Sequence, residues 1–402
     1  MAVSFPDAVV EREGGRIVLL VLDGLGGLPL EPGGATELEA ARTPKMDALA
    51  RRAALGLHIP VWPGITPGSG PGHLALFGYD PERYDIGRGV LSALGVGFEL
   101  EEGDIAVRLN LASLGEDGTV LDRRAGRPND AENRRIVEKL RAGVGDVEGI
   151  RVFFEPEKEH RAVLVLRGEG LAADLGDTDP QETGVPPLPV RAGSPQAERA
   201  ARVLQTVLDR AREVLADESV ANGLLARGID VYARFPGFED RFGLHGLAIA
   251  RYPMYRGVAR LVGMDTRPIP VSDEASVALL AQEFNRYSFH FIHFKAMDSR
   301  GEDGAFDAKV AAIEAVDALV ARIAGLEPDV LIMTGDHSTP SLLRAHSWHP
   351  VPVMIASRYV RADPDATFGE RACLRGELGI FPTVQLMSLA LAHAGRLKKY
   401  GA

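Results

Sequence analysis

The sequence predicts an α/β protein with a doubly wound, mostly parallel sheet and an inserted, smaller α+β domain. Three observations support this prediction. Strand-sized apolar runs end abruptly in polar, acid-containing segments, amphipathic helical stretches alternate with them, and a middle region of different pattern interrupts the alternation. The length of 402 residues also exceeds the size at which one hydrophobic core keeps growing, so two domains are expected.

The first strand is predicted at Ile17–Leu22, an apolar run that stops at Asp23. Such a run is typical of a buried parallel strand, which places Asp23 at the strand's carboxyl end, where ligands of this fold class collect. A helix is predicted from Thr43 to Ala53, because a proline follows the threonine in the order of a helix start and apolar residues recur at helical spacing.

The same pattern returns near the carboxyl terminus. Apolar runs predict three further strands, at Phe289–Phe294, Val330–Met333 and Val351–Ala356. Between the first two, the acid-opened stretch Asp307–Leu326 predicts a helix. Polar clusters follow both of those strands, so Asp298 and Asp336 should join Asp23 at the carboxyl edge of the sheet.

The middle of the chain predicts the inserted domain, at about residues 89–224, which leaves 1–88 and 225–402 as a discontinuous core. Charged loops join three strand-like segments there, at Asp104–Leu111, Val152–Glu155 and Arg161–Arg167. A long amphipathic helix is predicted at Gln196–Glu218.

Composition excludes several classes of function. The net charge of -11 argues against binding nucleic acid or an anionic membrane over a broad surface, since both need a basic footprint. The single cysteine, Cys373, allows no internal disulfide and fits a reducing compartment. No secretion signal is visible at the amino terminus, and no apolar run is long enough to span a bilayer. We therefore expect a cytoplasmic protein; its oligomeric state stays open.

A metal site is predicted from Asp336 and His337, which follow a strand, and from His346 beyond them. Asp298 and Glu302 add two carboxylates four residues apart. Mixed oxygen and nitrogen ligands suit zinc or manganese better than calcium. The alternative is that Asp336 caps a turn and the histidines lie on the surface, but convergence of several strand ends favours metal. Two metals can hold both the attacking and the leaving oxygen of a phosphoryl transfer.

Ser69 lies in a glycine-rich loop, residues 64–78, that runs into a short helix. Free backbone N–H groups and the helix dipole favour a phosphate at such a position, and a metal would lower the pKa of the hydroxyl and make it nucleophilic. A proline–glycine turn with Ser69 as its N-cap explains the same loop. The loop by itself does not separate these interpretations.

A series of motifs along the chain resembles the motifs of a known family. In chain order the motifs are Asp23-Gly, Thr43-Pro-x-Met-Asp47, Pro67-Gly-Ser-x-x-Gly-His-Leu74, Gly87-Arg-Gly89, Asp122-Arg-Arg-Ala-Gly-Arg127, His160 to Gly168, Asp177-Thr-Asp-Pro180, Lys295-Ala-x-Asp298 and Gly335-Asp-His-Ser-Thr-Pro340. This order resembles the archaeal-type, 2,3-bisphosphoglycerate-independent phosphoglycerate mutases of the alkaline phosphatase superfamily. The resemblance extends from about residue 16 to 400, and implies an alkaline-phosphatase-like core.

The resemblance implies a serine that takes the phosphoryl group from one hydroxyl of phosphoglycerate and returns it to the other. On matching positions Ser69 is that nucleophile. The implied cofactors are two divalent metal ions, with manganese favoured and zinc, cobalt or magnesium as alternatives. The implied ligands are Asp23, Ser69, Asp336 and His337 for the first metal, and Asp298, His346 and the residue at position 302 for the second. Glu302 stands where the family pattern has histidine, which leaves the third ligand open.

The implied partner is a small phosphorylated substrate. The resemblance assigns its binding to Asp122, Arg123, Arg124, Arg127, Arg161 and Lys295. Independently of the resemblance, an arginine guanidinium can bind a phosphate or a carboxylate through two parallel hydrogen bonds, and phosphoglycerate carries both groups. The alternative interpretation of residues 122–127 is a solvated charged loop.

Three functions remain open at this stage. The first is interconversion of 3-phosphoglycerate and 2-phosphoglycerate. The second is a phosphatase or phosphotransferase acting on another small phosphorylated or phosphonate compound. The third is a catalytically silent relative that binds a phospho-ligand, motivated by Glu302.

Overall fold

The computed structural model describes residues 7–84 and 86–401 of the chain. Met1 to Pro6, part of the segment in which no secretion signal is predicted, lie outside these ranges. The described residues form two compact units: 7–84, 236–252 and 262–401 in the first, and 86–235 with 253–261 in the second. Within these ranges no helix is long and apolar enough to cross a membrane.

The first unit contains a sheet of eight strands, with helices between them. Its strands are β1 (Ile17–Leu22), β2 (Ala53–Ile59), β8 (Gly246–Ile249), β9 (Asp265–Thr266), β10 (Phe289–Phe294), β11 (Val330–Thr334), β12 (Val351–Ser357) and β13 (Gly379–Pro382). Its helices are α1 (Glu37–Ala40), α2 (Pro44–Ala50), α3 (Ser69–Leu76), α7 (Phe238–Phe242), α9 (Asp273–Glu283), α10 (Ala296–Glu302), α11 (Phe306–Ala324), α12 (Glu370–Leu374) and α13 (Leu386–His393).

The second unit is built on five antiparallel strands. Its strands are β3 (Ile105–Leu114), β4 (Val120–Asp122), β5 (Arg151–Pro156), β6 (Arg161–Arg167) and β7 (Gly223–Val231). Its helices are α4 (Arg88–Gly95), α5 (Asp130–Gly143), α6 (Glu198–Val214) and α8 (Pro253–Leu261). β3 lies between β6 and β7, and apolar residues of α5 and α6 form one core with this sheet.

The large sheet has the order β13-β2-β12-β11-β1-β10-β8-β9. β1 is central and pairs in parallel with both β10 and β11, so that Leu22 is opposite Phe294 and Val21 opposite Thr334. β12 runs antiparallel to both of its neighbours, while the other pairings are parallel. This register brings the carboxyl ends of β1, β10 and β11 to the same edge.

Helices cover both faces of this sheet. Val18, Leu20 and Leu22 of β1 share one core with apolar residues of α2, α9 and α11. On the other face, α3 packs on β10, where the Phe77 and Phe291 rings lie 5.0 Å apart. The prediction of a doubly wound, mostly parallel sheet is confirmed.

Most predicted segments are found with small shifts at their ends. β1, β10 and β6 have the predicted bounds, and α11 begins one residue earlier than predicted. The predicted helix to Ala53 was wrong at its end, because α2 stops at Ala50 and Ala53 begins β2. Ala53 is buried by pairing with β12 and not by a helical face.

Candidate active site

Asp23 follows β1 directly and is fully buried. Its Oδ1 lies 3.4 Å from Nε2 of His337, and its Oδ2 lies 3.1 Å from Nε2 of His293. The next residue, Gly24, has a φ of 66°, and an added Cβ there would lie 2.8 Å from the Cβ of Asp298. Glycine is therefore required where the chain turns away from β1 beside the other carboxylates.

Asp336 and His337 follow β11, next to β1 in the sheet, and both are fully buried. Asp336 Oδ1 accepts a hydrogen bond from the backbone N–H of Gly24, and Oδ2 lies 3.2 Å from His337 Nε2. Asp23, Asp336 and His337 each offer a ligand atom within 4.8 Å of the others. These atoms form the first candidate metal cluster.

Ser69 is the first residue of α3, after Gly68 at the N-cap position. Its Oγ lies 3.2 Å from Nε2 of His337, the atom that also lies near Asp23 and Asp336. The structure thus brings together the four residues predicted as ligands of the first metal. α3 lies so close to Asp336 that a Cβ added at Gly72 would be only 2.6 Å from the carbonyl oxygen of Asp336. The absence of a side chain at Gly72 therefore permits this approach.

A second candidate cluster consists of Asp298, His337 and His346. Asp298 lies in α10, just after β10, and its Oδ1 is 3.4 Å from Nε2 of His346. The rings of His337 and His346 stack with centroids 3.6 Å apart. Nδ1 of His346 faces the carbonyl oxygen of Pro67 at 3.0 Å; donation from Nδ1 there leaves the Nε2 lone pair directed at the cluster.

Glu302 lies at the rim of the second cluster. Its side chain is 55% exposed, and its Oε1 is 3.8 Å from His346 Nε2. In place of Glu302, His337 completes the group of three convergent ligand atoms. A ligand role for Glu302 stays a prediction.

Asp336 and Asp298 keep their negative charge despite burial. Burial would raise the pKa of Asp336, but His337 and His73 hold that pKa well below its usual range. Burial also opposes ionisation of Asp298, whose pKa is lowered by His346 and Lys295. A dense group of buried carboxylates and imidazoles is the donor set of a transition-metal site, and fits manganese or zinc.

Lys295 links the two clusters. Its Nζ lies 3.1 Å from Asp23 Oδ2 and also donates to Asp298 Oδ2. Burial would lower the pKa of Lys295, yet these two carboxylates raise it. The substrate-binding role assigned to Lys295 by resemblance is a prediction; its position between the clusters is observed.

Three residues of this site were not predicted. His73 Nδ1 lies 2.8 Å from the carbonyl oxygen of Ser69 and 3.3 Å from Asp336 Oδ2. His293 contacts Asp23 from β10, and Thr339 Oγ1 contacts both Asp298 and His337. His73 lies four residues after Ser69 on one helix, so helical spacing was a signal for it.

The predicted substrate-binding residues other than Lys295 lie in the second unit. Arg123 is engaged within the protein, since Nε and Nη2 donate to the two oxygens of buried Asp179 at 2.8 and 2.9 Å. Asp122 accepts backbone N–H groups of Arg124 and Gly126, and these hydrogen bonds lower its pKa. Neither side chain is simply a solvated charge.

The positive charges of Arg161, Arg124 and Arg127 act on His160, and so does that of Arg108, which was not predicted. Burial and then these four guanidinium groups lower the pKa of His160 to about 4. Arg124 and Arg127 are exposed. The second unit thus presents a local positive charge on an acidic protein, which suits a small anion.

The backbone of the loop at residues 122–127 has an unusual conformation. Ala125, Gly126 and Arg127 all have positive φ angles, of 45°, 67° and 55°. For residues other than glycine such conformations cost about 1–3 kcal/mol each, and they concentrate at functional sites.

Fold and site together define a class of protein. Parallel strands of an α/β sheet deliver carboxylates, histidines and a serine hydroxyl to one edge, as in metal-dependent phosphoryl-transfer enzymes.

Comparison with known proteins identifies the family. A model of the 2,3-bisphosphoglycerate-independent phosphoglycerate mutases matches residues 50–221. A probable 2,3-bisphosphoglycerate-independent phosphoglycerate mutase from Thermus thermophilus is 52% identical over 397 residues, which cover 98% of each chain. The chain belongs to this family, and its membership implies divalent metal ions.

Two solved structures have the same fold. A protein from Pyrococcus horikoshii is 30% identical with a TM-score of 0.82, over 97% of this chain and 100% of that one. The cofactor-independent phosphoglycerate mutase from Thermoplasma acidophilum is 28% identical with a TM-score of 0.73, over 95% and 100% of the two chains.

Proposed function

We propose that the protein is a phosphoglycerate mutase that interconverts 3-phosphoglycerate and 2-phosphoglycerate through a phosphorylated Ser69. The observation that supports this most is the position of Ser69 Oγ, 3.2 Å from His337 Nε2 and beside buried Asp23 and Asp336. Family membership supports the substrate. The proposed setting is the cytoplasm, consistent with a single cysteine.

The metal sites use residues of the first unit. Asp23, Ser69, Asp336 and His337 would hold one divalent ion, and Asp298, His346 and Glu302 or His337 a second. Manganese is the proposed metal, because it accepts both carboxylate and imidazole ligands. When bound, such ions lower the pKa of a serine hydroxyl and neutralise charge on the transferring phosphoryl group.

Side chains and backbone groups of the protein transfer the phosphoryl group and bind the substrate. Ser69 Oγ forms a bond to phosphorus as the bond between phosphorus and one glycerate oxygen breaks, and that oxygen takes up the proton that Ser69 loses. The other glycerate hydroxyl later attacks the phosphoserine, and its proton returns to Ser69 as the serine oxygen leaves. Backbone N–H groups at the start of α3 would stabilise the charge of a phosphoryl group on Ser69. Arg124, Arg127 and Arg161 are proposed to bind the anionic substrate, with Arg123 and Asp122 shaping their loop.

A two-product assay tests the proposal. Protein reconstituted with manganese is incubated with 3-phosphoglycerate, and 2-phosphoglycerate and free phosphate are both measured. Formation of the isomer without phosphate is expected. Phosphate alone would show a phosphatase, and neither product would show a phospho-ligand-binding protein without catalysis.

Replacement of Ser69 by alanine tests the nucleophile. We expect the Ser69→Ala variant to lose at least about 1000-fold in kcat, because no side chain can then carry the phosphoryl group. Isotope-labelled substrate should leave label on Ser69 in the wild type and none in the variant. Turnover near the wild-type rate in Ser69→Ala would show that water or another residue attacks.

A further inference from the structure

A buried ion pair lies behind the candidate metal site. Lys309 of α11 and Glu37 of α1 both have no solvent exposure, and Lys309 Nζ lies 3.9 Å from Glu37 Oε1. Neither residue belongs to the proposed ligands. Burial of two charges is costly unless hydrogen bonds satisfy both groups.

Lys309 joins the two loops that carry the first metal cluster. Its Nζ donates to the carbonyl oxygens of Gly26 and Thr339, each at 2.9 Å. Gly26 belongs to the loop that begins with Asp23 after β1. Thr339 belongs to the loop that carries Asp336 and His337 after β11.

Glu37 joins the same two loops from the acceptor side. Its Oε2 accepts the N–H of Leu28 at 3.1 Å, and its Oε1 accepts the N–H of Ser341 at 2.7 Å. The fit is close, since an added Cβ at Gly27 would lie 1.9 Å from Glu37 Oε2. One ion pair therefore satisfies a carbonyl and an N–H group from each loop.

These loops set the positions of ligand atoms. The N–H of Gly24 in the first loop donates to Asp336 Oδ1 in the second. Thr339, whose carbonyl Lys309 holds, places its Oγ1 2.8 Å from Asp298 Oδ1 and 3.0 Å from His337 Nδ1. A shift of one loop against the other would separate ligand atoms in both clusters.

We propose that Lys309 and Glu37 act as a pair of positioning residues, which hold the two loops at the spacing that metal binding requires. The inference rests on the proposed metal-dependent function. Buried ion pairs add little net stability compared with apolar side chains. Hydrogen bonds around ligating side chains, in contrast, typically change metal affinity by about 10- to 100-fold.

Direct manganese binding tests this pairing. Metal-free wild type, Lys309→Met and Glu37→Gln are titrated with manganese chloride, and free manganese is followed by electron paramagnetic resonance. We expect affinity to fall by about 10-fold or more in each variant, with unchanged far-ultraviolet circular dichroism. Glu37→Gln keeps the side-chain volume, so it carries the test by itself if Lys309→Met does not fold.

Arg396 provides a matched control. This buried guanidinium also holds backbone carbonyls, those of Gly14 and Gly15, but before the start of β1. Arg396→Met should lower the melting temperature and leave manganese affinity unchanged. A loss of affinity in this variant equal to that in Lys309→Met would mean that general destabilisation causes the effect, and would overturn the proposal.

A double variant tests whether the two residues act as a unit. Loss of affinity in Lys309→Met/Glu37→Gln should be clearly smaller than the two single losses combined, because either change breaks the same arrangement. Additive losses would overturn the pairing, as would wild-type affinity in both single variants. Failure of the wild type itself to bind manganese would instead contradict the proposed function.

Discussion

Glu302 differs chemically from the other proposed ligands of the second metal. Asp298 is buried and His346 is partly buried, whereas the Glu302 side chain is 55% exposed with Oε1 3.8 Å from His346 Nε2. Because carboxylate is a harder ligand than imidazole, glutamate at this position should favour manganese or magnesium over zinc.

Replacement of Glu302 tests this role. We expect Glu302→Ala to weaken one manganese site by about 10-fold and leave the other unchanged, since the first cluster does not include residue 302. Calorimetric titration of the metal-free protein resolves the two sites. Asp303→Ala is the control, because it removes the same charge from a neighbouring exposed position. Equal titrations of Glu302→Ala and Asp303→Ala would exclude Glu302 as a ligand.

Glu370 is a carboxylic acid whose pKa departs from its usual value. It accepts hydrogen bonds from Gly27 N–H and Thr36 Oγ1, at 2.9 and 2.5 Å. Burial nevertheless raises its pKa from 4.5 to about 7. Between these two values the folded protein holds a proton that the unfolded chain has released.

The free energy of unfolding should therefore fall as pH rises from about 4.5 to 7, by at most about 1.4 kcal/mol per pH unit from this group. Glu370→Gln resembles the protonated acid and lacks this contribution. Urea unfolding at pH 5, 6, 7 and 8 should show the variant gaining stability relative to wild type as pH rises. Parallel stability curves would contradict the shifted pKa.

The sequence predicts some site residues well and others not at all. Asp23 and Asp336 could be found because each follows an apolar strand. His293 could not, because a histidine inside the run Phe289–Phe294 looks like part of a core until the sheet places it against Asp23. Lys309 was hidden for a related reason: its partners are backbone groups of loops distant in the sequence.

At the level of elements, α4 and α8 pack unusually closely within the second unit. An added Cβ at Gly257 would lie 2.0 Å from the carbonyl oxygen of Leu91, and one at Gly95 would lie 2.2 Å from that of Pro253. Both obstacles are backbone atoms, which cannot move aside as a flexible side chain can. Two glycines therefore permit the contact between these helices.

Gly257→Ala should destabilise the second unit by about 2 kcal/mol, because the methyl group forces the helices apart. Gly325→Ala is the control, since a Cβ there meets nothing closer than 3.3 Å. Urea unfolding, monitored through hydrogen exchange in β3, would measure this loss of stability. Wild-type stability of Gly257→Ala would show that the helices can separate at little cost.

A strand could be predicted from the sequence where its own residues form a clear apolar pattern. β1 and β10 are continuous buried runs, and their bounds were found. β2 was missed because Ala53–Ile59 has few β-branched residues and includes glycine. The antiparallel direction of β12 relative to β11 and β2 could not be predicted from the sequence either, because the direction of a strand depends on the strands with which it pairs.

For the whole molecule, both candidate metal clusters lie in the first unit, whereas the arginines around His160 lie in the second. Metal binding should therefore stabilise the units unequally. A ligand that binds only the folded form adds about 2.7 kcal/mol at 100 times its Kd.

Manganese should accordingly slow hydrogen exchange in β1 and β11 and leave exchange in β3 and β6 unchanged. Removal of the metal with a chelator should reverse the effect. Mass spectrometry of peptides from each unit provides the measurement. Equal protection in β3 would contradict a metal centre confined to the first unit.

The single thiol of the protein has a practical consequence. Cys373 is fully buried, and burial raises its pKa to about 12, so it should react little with maleimide dyes. Cysteines introduced at exposed positions, one in each unit, would then be labelled without background. A fluorophore pair placed in this way would test, in single molecules, whether the distance between the two labelled positions changes when phosphoglycerate is added.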